Sequence, residues 1–361
     1  MEKYRVGIVG ATGMVGQRFI SLLKDHPWFE VNCVAASARS AGKTYREAVG
    51  ERWAFAWEIP EKVAGMTVVD AADIDEVSKH VDFVFCAVDM KKDEIRALEE
   101  AYAKHEIPVV SNNSACRGIE DVPMVVPEIN ADHLAVIEAQ KKRLGTKKGF
   151  IAVKPNCSIQ SYVPALTPLL DFEPEKVSVC TYQAISGAGK TFKTWPEMVD
   201  NVIPYIGGED EKSENEPLKL WGHVEDGKIV NAALPVISAQ CLRVACSDGH
   251  MAAVSVSFKK KPTIEQIKER WANYETEAQR LELPSAPKPF LQYFEDPSRP
   301  QTRLDRDFQN GFGVSIGRLR EDKLFDYRFV CLSHNTVRGA AGGGILTAEL
   351  LCRKGYIPHR V

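Results

Sequence analysis

The chain has 361 residues, of which 44% are hydrophobic and 26% are charged, and its formal net charge is −3. This composition is typical of a globular protein with enough apolar residues for two domains. A charge so near zero argues against nucleic acid or an anionic membrane surface as a partner, and no apolar run approaches the roughly 20 residues of a membrane span. We therefore expect small-molecule partners.

The nine cysteines are scattered without regular spacing and without a Cys-x-x-Cys pair. This distribution argues against both a disulfide framework and a zinc site. We expect reduced thiols, no bound metal and a cytoplasmic location.

The first half of the chain alternates short apolar runs with stretches of helical spacing. Strands are predicted at residues 5–9, 31–36, 67–69, 81–88, 109–111 and 150–153, and helices at residues 17–23 and 93–105. Such alternation predicts a mostly parallel sheet with helices on both faces, which is the α/β architecture of a Rossmann-type dinucleotide-binding domain.

The pattern changes at about residue 177, where strands follow one another with fewer helices between them. They are predicted at residues 177–183, 233–245, 251–258, 311–320 and 325–332, with loops at 207–217 and 283–300. This favours a second, α+β domain with a mostly antiparallel sheet. We assign residues 1–155 to a dinucleotide-binding domain, completed by a C-terminal helix at 336–361, and residues 156–335 to a catalytic and dimerisation domain.

A glycine-rich turn follows the first predicted strand, in Gly7-Ile-Val-Gly10-Ala-Thr-Gly13-Met-Val-Gly16. Glycines here let the backbone approach a pyrophosphate, whose charge meets free amides at the helix N-terminus. A tight structural turn is the alternative. The predicted contacts to the cofactor are Gly10, Thr12, Gly13, Met14 and Val15.

The second predicted strand ends without an acidic side chain. In NAD-specific folds an acid at this point binds the ribose 2′-hydroxyl, whereas here Ser37, Arg39 and Ser40 follow the strand. Hydroxyl and guanidinium groups suit a 2′-phosphate, so NADP is the predicted cofactor. A solvated basic loop is the alternative.

Cys157 lies in Pro155-Asn-Cys157-Ser158, between a predicted strand and a helical stretch at 159–170. The free amides and the dipole of such a helix would favour a thiolate, which predicts a nucleophile. Most cysteines are small buried residues. Cys116, beside Arg117, is the nearest rival on electrostatic grounds.

Arg243 and His250 bound a segment that reads as an irregular turn between two apolar runs. An imidazole at the edge of a cleft suits acid–base work near neutral pH, although a surface histidine fits the pattern equally well. The segment from Tyr182 to Gly189, which contains Gln183, could by itself be any turn.

These motifs together carry a resemblance to a known family. They are Gly10-Ala-Thr-Gly-Met-Val-Gly-Gln17, Pro155-Asn-Cys-Ser158, Tyr182-Gln-Ala-Ile-Ser-Gly-Ala-Gly189, the segment from Arg243 to His250, and Asn335-Thr-Val-Arg-Gly-Ala-Ala-Gly342. In this order, spread from residue 6 to about residue 350, they resemble the aspartate-semialdehyde dehydrogenases of archaea and fungi.

The resemblance implies reductive dephosphorylation of L-4-aspartyl phosphate to L-aspartate 4-semialdehyde with NADPH, a step towards lysine, threonine and methionine. It implies that Cys157 forms a thioester, that His250 is the acid–base group and that Gln183 orients the acyl intermediate. It adds Ser186, Gly187, Asn335 and Gly342 to the predicted cofactor contacts. A homodimer or homotetramer is expected.

The resemblance also implies a set of charged groups for a substrate with one cation and two anions. Arg243 would hold the α-carboxylate, because its planar fork gives a bidentate match. Arg117, Asn112 and Lys212 would bind phosphate. Glu209 would meet the ammonium group, with Glu211 as the alternative in this polar segment.

Three other interpretations remain. Archaeal malonyl-CoA reductase is similar to this branch, but its substrate has neither a phosphate nor an amino group for Glu209, Lys212 and Arg117 to bind. An N-acetylglutamyl-phosphate reductase would need no acid for a free ammonium. A non-catalytic, dinucleotide-binding regulatory protein would not need Cys157 and His250.

Overall fold

The computed structural model describes residues 2–358. Within that range the strands are β1 (Tyr4–Val9), β2 (Phe29–Ala36), β3 (Val69–Asp70), β4 (Phe83–Cys86), β5 (Val109–Ser111), β6 (Ile151–Val153), β7 (Pro174–Gln183), β8 (Val202–Ile203), β9 (His223–Glu225), β10 (Lys228–Val230), β11 (Val236–Val244), β12 (His250–Phe258), β13 (Leu291–Phe294), β14 (Val314–Glu321) and β15 (Tyr327–Ser333). The α-helices are α1 (Met14–Leu23), α2 (Tyr45–Val49), α3 (Glu61–Ala64), α4 (Ile74–Ser78), α5 (Lys92–Lys104), α6 (Ile137–Leu144), α7 (Ile159–Leu166), α8 (Glu209–Leu220), α9 (Ile264–Ala272), α10 (Glu277–Arg280), α11 (Thr302–Asp305) and α12 (Gly342–Arg353). None of these helices has both the length and the apolar character needed to cross a bilayer.

The first sheet has six parallel strands in the order β3-β2-β1-β4-β5-β6. This confirms the predicted doubly wound architecture. The strand order reverses between β1 and β4, and ligands of such sheets bind in the crevice at the carboxyl ends of the strands at that point. The glycine turn after β1 lies at this edge.

The second sheet has seven strands in the order β13-β14-β15-β12-β7-β11-β8. The pairs β7–β11 and β13–β14 are parallel and the other pairs are antiparallel. Burial alternates along β12, as expected when one face of the sheet covers a core. Helix α7 packs on this sheet against β12, β14 and β15, so the turn before α7 lies between the two sheets.

Helix α12 returns the chain to the first sheet and packs against α1 and β5. Its Glu349 is buried and lies 2.8 Å from Nε2 of His26, which precedes β2. Residues 359–361 of the predicted segment 336–361 lie outside the described residues. The domain boundaries themselves stay a prediction.

The predicted loop at 207–217 is wrong, because most of that segment belongs to helix α8. Four of its five buried positions, Glu209, Ser213, Pro217 and Leu220, share one helical face. These four and the fifth, Lys219, are mostly not apolar, so no hydrophobic periodicity marks the helix. Pro217 leaves the Ser213 carbonyl without its helical donor, and the Tyr162 hydroxyl donates to that carbonyl at 2.6 Å. The other predicted loop, at 283–300, is irregular except for β13.

Candidate active site

A cavity of about 250 Å³ lies at the carboxyl edge of the first sheet and is also lined by the second domain. It brings together predicted substrate residues and predicted cofactor residues. Those lining it are Val15, Asn112, Arg117, Cys157, Ser186, Gly187, Glu209, Lys212 and Asn335.

Cys157 lies in the turn between β6 and α7. Asn156 holds this turn, because its Oδ1 accepts hydrogen bonds from the backbone N–H of Ser158 at 2.6 Å and from the Ser158 hydroxyl at 2.8 Å. Gly339 packs on the other side, where an added Cβ would come within 2.8 Å of the Cys157 Cβ. The thiol is therefore fixed at the wall of the cavity.

The electrostatic environment of Cys157 contradicts the expectation of a lowered pKa. Burial raises the pKa of the thiol and the Glu209 carboxylate raises it further, while Lys154, Arg117 and Arg243 oppose the rise. The thiol form is therefore the resting form. The three cations stabilise the thiolate once it forms.

The rival cysteine, Cys116, is fully buried. Burial and the neighbouring carboxylate of Glu99 raise the pKa of the Cys116 thiol. Its position beside Arg117 in the sequence therefore does not make it reactive.

His250 is the first residue of β12 and is completely buried, so it is neither in an irregular turn nor on the surface. The backbone of Ala184 holds two predicted site residues at once. Its N–H donates to Nδ1 of His250 at 3.0 Å, and its carbonyl accepts from Nη1 of Arg243 at 2.7 Å. Gly187 covers both side chains, because an added Cβ would lie 2.8 Å from Nη1 of Arg243 and 2.9 Å from Nε2 of His250.

Helix α8 presents Glu209 and Lys212 to the cavity. Glu209 Oε2 accepts from Asn156 Nδ2 at 2.8 Å and from Gln183 Nε2 at 3.3 Å, while Oε1 accepts from Lys212 Nζ at 2.8 Å. Burial alone would raise the pKa of Glu209, but these hydrogen bonds, led by that of Lys212, lower it. Glu211, the alternative, is exposed and does not line this cavity.

Asn112 and Arg117 lie together at the end of β5. Arg117 Nη2 donates to the Asn112 carbonyl at 3.1 Å, and Nη1 donates to Glu216 at 2.9 Å. Both polar side-chain atoms of Asn112 and Nε of Arg117 are buried without a hydrogen-bond partner among residues 2–358. Such groups are costly unless a ligand satisfies them.

The glycine turn fits a dinucleotide. Gly10 has φ +90°, and an added Cβ there would come within 2.3 Å of the Ala87 carbonyl. An added Cβ on Gly16 would lie equally close to the carbonyl of Gly10. Gly13 precedes α1, whose first amides have no acceptor within the helix. The loop thus combines close backbone approach with the free amides of Met14 and Val15, while Gln17 holds the Thr12 carbonyl at 2.9 Å.

The remaining predicted cofactor residues divide into three groups. Ser37 and Arg39 are exposed and Ser40 is buried in the turn directly after β2. Asn335 Nδ2 donates to the Ser186 hydroxyl at 2.8 Å, which joins two segments at the cavity. Gly342 does not reach the cavity, because Val337 and Phe312 enclose its Cα.

Several residues at this cavity were not predicted from the sequence. Asn156 and Gly339 belong to quoted motifs, so their place in those motifs was an available signal. Glu216 does not line the cavity but contacts Arg117 and Asn156, which do. It follows Glu209 by seven residues and would have shared its face had a helix been predicted there. Lys154 precedes the Pro-Asn-Cys motif, and nothing in the sequence marks it as a cavity residue.

The chain is similar to known proteins over nearly its whole length. Residues 5–137 match the family described as semialdehyde dehydrogenase, NAD binding domain, and residues 166–338 match its dimerisation domain. The aspartate-semialdehyde dehydrogenase of Schizosaccharomyces pombe is 45% identical over 98% of this chain and 99% of its own, and that of Archaeoglobus fulgidus is 43% identical over 98% and 100%. A crystal structure of the Candida albicans enzyme with NADP has a TM-score of 0.89 and 40% identity, covering 99% of this chain and 100% of that one. The chain belongs to the aspartate-semialdehyde dehydrogenase family.

Proposed function

We propose that this chain catalyses the NADPH-dependent reductive dephosphorylation of L-4-aspartyl phosphate to L-aspartate 4-semialdehyde. The observation that carries the proposal is a single cavity in which Cys157 lies beside one carboxylate, Glu209, and the cations Arg117 and Lys212. Family membership supports the same activity. The product would serve lysine, threonine and methionine synthesis.

The charges of the cavity match those of the proposed substrate. Glu209 keeps a lowered pKa and so offers a carboxylate to the substrate ammonium. Arg117 and Asn112, with their unsatisfied buried atoms, supply donors for the phosphate. Arg243 offers a guanidinium to the α-carboxylate, because among residues 2–358 its one hydrogen bond is from Nη1 to the Ala184 carbonyl.

The proposed reaction starts from the resting thiol of Cys157, which loses its proton to solvent while Lys154, Arg117 and Arg243 stabilise the thiolate, and the thiolate then attacks the acyl carbon. A C–S bond forms, the bond from that carbon to the phosphate oxygen breaks, and phosphate leaves with the electron pair. His250, whose Nε2 has no partner among the described residues, donates a hydrogen bond to the carbonyl oxygen as charge develops there. Gln183 and Asn156 hold Glu209, which fixes the substrate against Cys157.

NADPH, when bound, supplies the hydride that takes the thioester to the aldehyde level. The residues that would hold it are the glycine turn from Gly10 to Val15 and, at the ribose phosphate, Ser37, Arg39 and Ser40. Ser186 and Asn335 close the cavity on the second-domain side.

An assay in the direction of aldehyde oxidation tests the proposal. We expect NADP reduction that requires both aspartate semialdehyde and phosphate, and arsenate should replace phosphate. Turnover with malonate semialdehyde and coenzyme A, without a phosphate requirement, would instead indicate a malonyl-CoA reductase. NADP binding without turnover on either pair would indicate a regulatory protein.

We also propose a homodimer or homotetramer. Large apolar side chains are exposed around β8 and β11, where Val202, Tyr205 and Val236 are 54%, 71% and 64% accessible. A second copy that covered them would bury this apolar surface. Sedimentation at assay concentrations tests this, and a fully active monomer would contradict it.

A cytoplasmic location remains part of the proposal, consistent with nine cysteines that form no disulfide.

A further inference from the structure

Lys154 occupies an unusual position for a lysine. It follows β6, three residues before Cys157, and is only 3% exposed, yet it lines the same cavity as Arg117 and Asn112. Its backbone N–H donates to the Ser111 carbonyl at the end of β5, at 3.0 Å. The residue is therefore fixed between the nucleophile turn and the segment that carries the proposed phosphate ligands.

The ammonium group of Lys154 is poorly satisfied by the protein. It can donate three hydrogen bonds, but the carbonyl of Pro155 is its one acceptor among residues 2–358. No carboxylate lies within salt-bridge distance of it in that range. Burying a cation in this way is costly unless a ligand completes its hydrogen bonds.

The charges around Lys154 also favour an anion in the cavity. Burial, with a further contribution from Arg117, lowers the pKa of Lys154 to about 7, whereas Cys157, Glu216 and Glu209 act in the opposite direction. Glu216 is already engaged by Arg117 and by the backbone N–H of Asn156. An anion between the ammonium and the guanidinium would offset their mutual repulsion.

We infer that Lys154 is a further phosphate-binding residue, which donates from Nζ to the phosphate of the acyl phosphate and to inorganic phosphate in the reverse direction. This inference rests on the proposed function. It places a third cation beside Arg117 and Lys212, on the side of the cavity next to the thiol. The leaving phosphate is then held close to the carbon from which it departs.

Lys154→Met removes the charge and keeps the length of the side chain, and Lys104→Met is the matched control because Lys104 is exposed at the end of α5. In the oxidative direction, the KM for phosphate should rise about tenfold or more in Lys154→Met, since a hydrogen bond to a charged group is lost. The KM for aspartate semialdehyde should change little, and Lys104→Met should match the wild type.

An unchanged KM for phosphate in Lys154→Met would overturn the inference. If kcat and the rate of Cys157 alkylation fell while that KM stayed unchanged, Lys154 would be a positioning group for the thiol instead. Absence of phosphate-dependent turnover in the wild type would instead contradict the proposed function itself.

A second measurement uses the wild type alone and so does not depend on whether the variant folds. Sulfate keeps its charge across the neutral range, so the pH dependence of its inhibition constant reports on the protein, unlike that of the KM for phosphate, because phosphate itself ionises near neutrality. Because Lys154 loses its proton as the pH rises through about 7, sulfate inhibition should weaken over that interval. Inhibition that is independent of pH would count against the inference.

Discussion

The backbone N–H of Ala184 donates a hydrogen bond to Nδ1 of His250, at 3.0 Å. A ring nitrogen that accepts a hydrogen bond carries no proton, so the proton of the neutral imidazole lies on Nε2. Burial, with a contribution from Arg243, lowers the pKa of His250 to about 3, which keeps the ring neutral at physiological pH. His250 is thus preset as a donor from Nε2.

This relationship predicts how substitutions at His250 should differ. His250→Ala should lower kcat about a hundredfold or more, which is the usual contribution of a positioned proton donor. His250→Gln should lose less, because an amide nitrogen can donate at about the same reach. Steady-state rates of both variants test this, and equal losses would show that donation from Nε2 is not the role of the ring.

The lowered pKa of His250 also predicts a dependence of stability on pH. Between about 6.5, its ordinary value, and about 3, the unfolded chain binds a proton that the folded ring does not. The free energy of unfolding of the wild type should therefore fall, relative to that of His250→Gln, as the pH drops below 6.5. Urea unfolding at about pH 7 and about pH 5 measures this, and parallel losses in the two proteins would contradict it.

Cys157→Ala should abolish turnover and leave NADPH binding nearly intact, because the glycine turn belongs to a different element. The raised pKa of the thiol adds a second expectation. Alkylation of Cys157 by iodoacetamide should speed up as the pH rises above neutrality, and substrate should protect it. Cys116 is fully buried, so we do not expect it to react first. Labelling of Cys116 before Cys157, with activity retained, would refute the assignment of Cys157 as the nucleophile.

Arg39→Glu should weaken NADPH binding about tenfold or more and leave NADH binding unchanged or improved, because a charge-assisted contact to the 2′-phosphate becomes a repulsion. Arg96→Glu, on the exposed face of α5, makes the same change of charge away from the cavity and serves as the control. Fluorescence titration with both cofactors measures the effect. Equal weakening of NADPH binding in the two variants would mean that only net charge matters.

The sequence predicted most of the first sheet because its strands are continuous apolar runs separated by turn residues. Val109–Ser111, for example, appears with its predicted bounds, and Gly10 forms the turn that was expected of it. Helix α8 escaped prediction because its buried face is polar. These polar residues are buried because they contact the rest of the molecule, as in the hydrogen bond from Asn156 to Glu209. A single sequence does not show such contacts.

The raised pKa of Cys157 could not be predicted from the sequence for a related reason. The sequence showed the start of a helix, which favours a thiolate, but not the burial of the thiol or the proximity of Glu209, which is 52 residues away in the chain. Lys154 was not predicted as a cavity residue, because the sequence does not show its burial either. A lone lysine after a strand is usually solvated, and only the packing reveals that it is buried.

Glu216 on helix α8 joins the two sides of the cavity. Its Oε1 accepts from Nη1 of Arg117 at 2.9 Å, and its Oε2 accepts from the backbone N–H of Asn156 at 2.5 Å. Glu216→Gln keeps an acceptor but removes the charge. Glu214→Gln is the matched control, because Glu214 lies on the same helix and accepts from the backbone N–H of Ala239 in β11, away from the cavity.

We expect Glu216→Gln to lower kcat about tenfold while the KM for phosphate stays unchanged or falls. Without the carboxylate, the charge of Arg117 is uncompensated, which favours phosphate binding. The substitution also weakens the contacts by which Glu216 holds both Arg117 and the turn that carries Cys157. The reacting groups should therefore be less well oriented, which lowers kcat. Steady-state kinetics of the two variants separate these effects. A higher KM for phosphate with unchanged kcat, or an equal loss in Glu214→Gln, would show that Glu216 does not position the nucleophile turn.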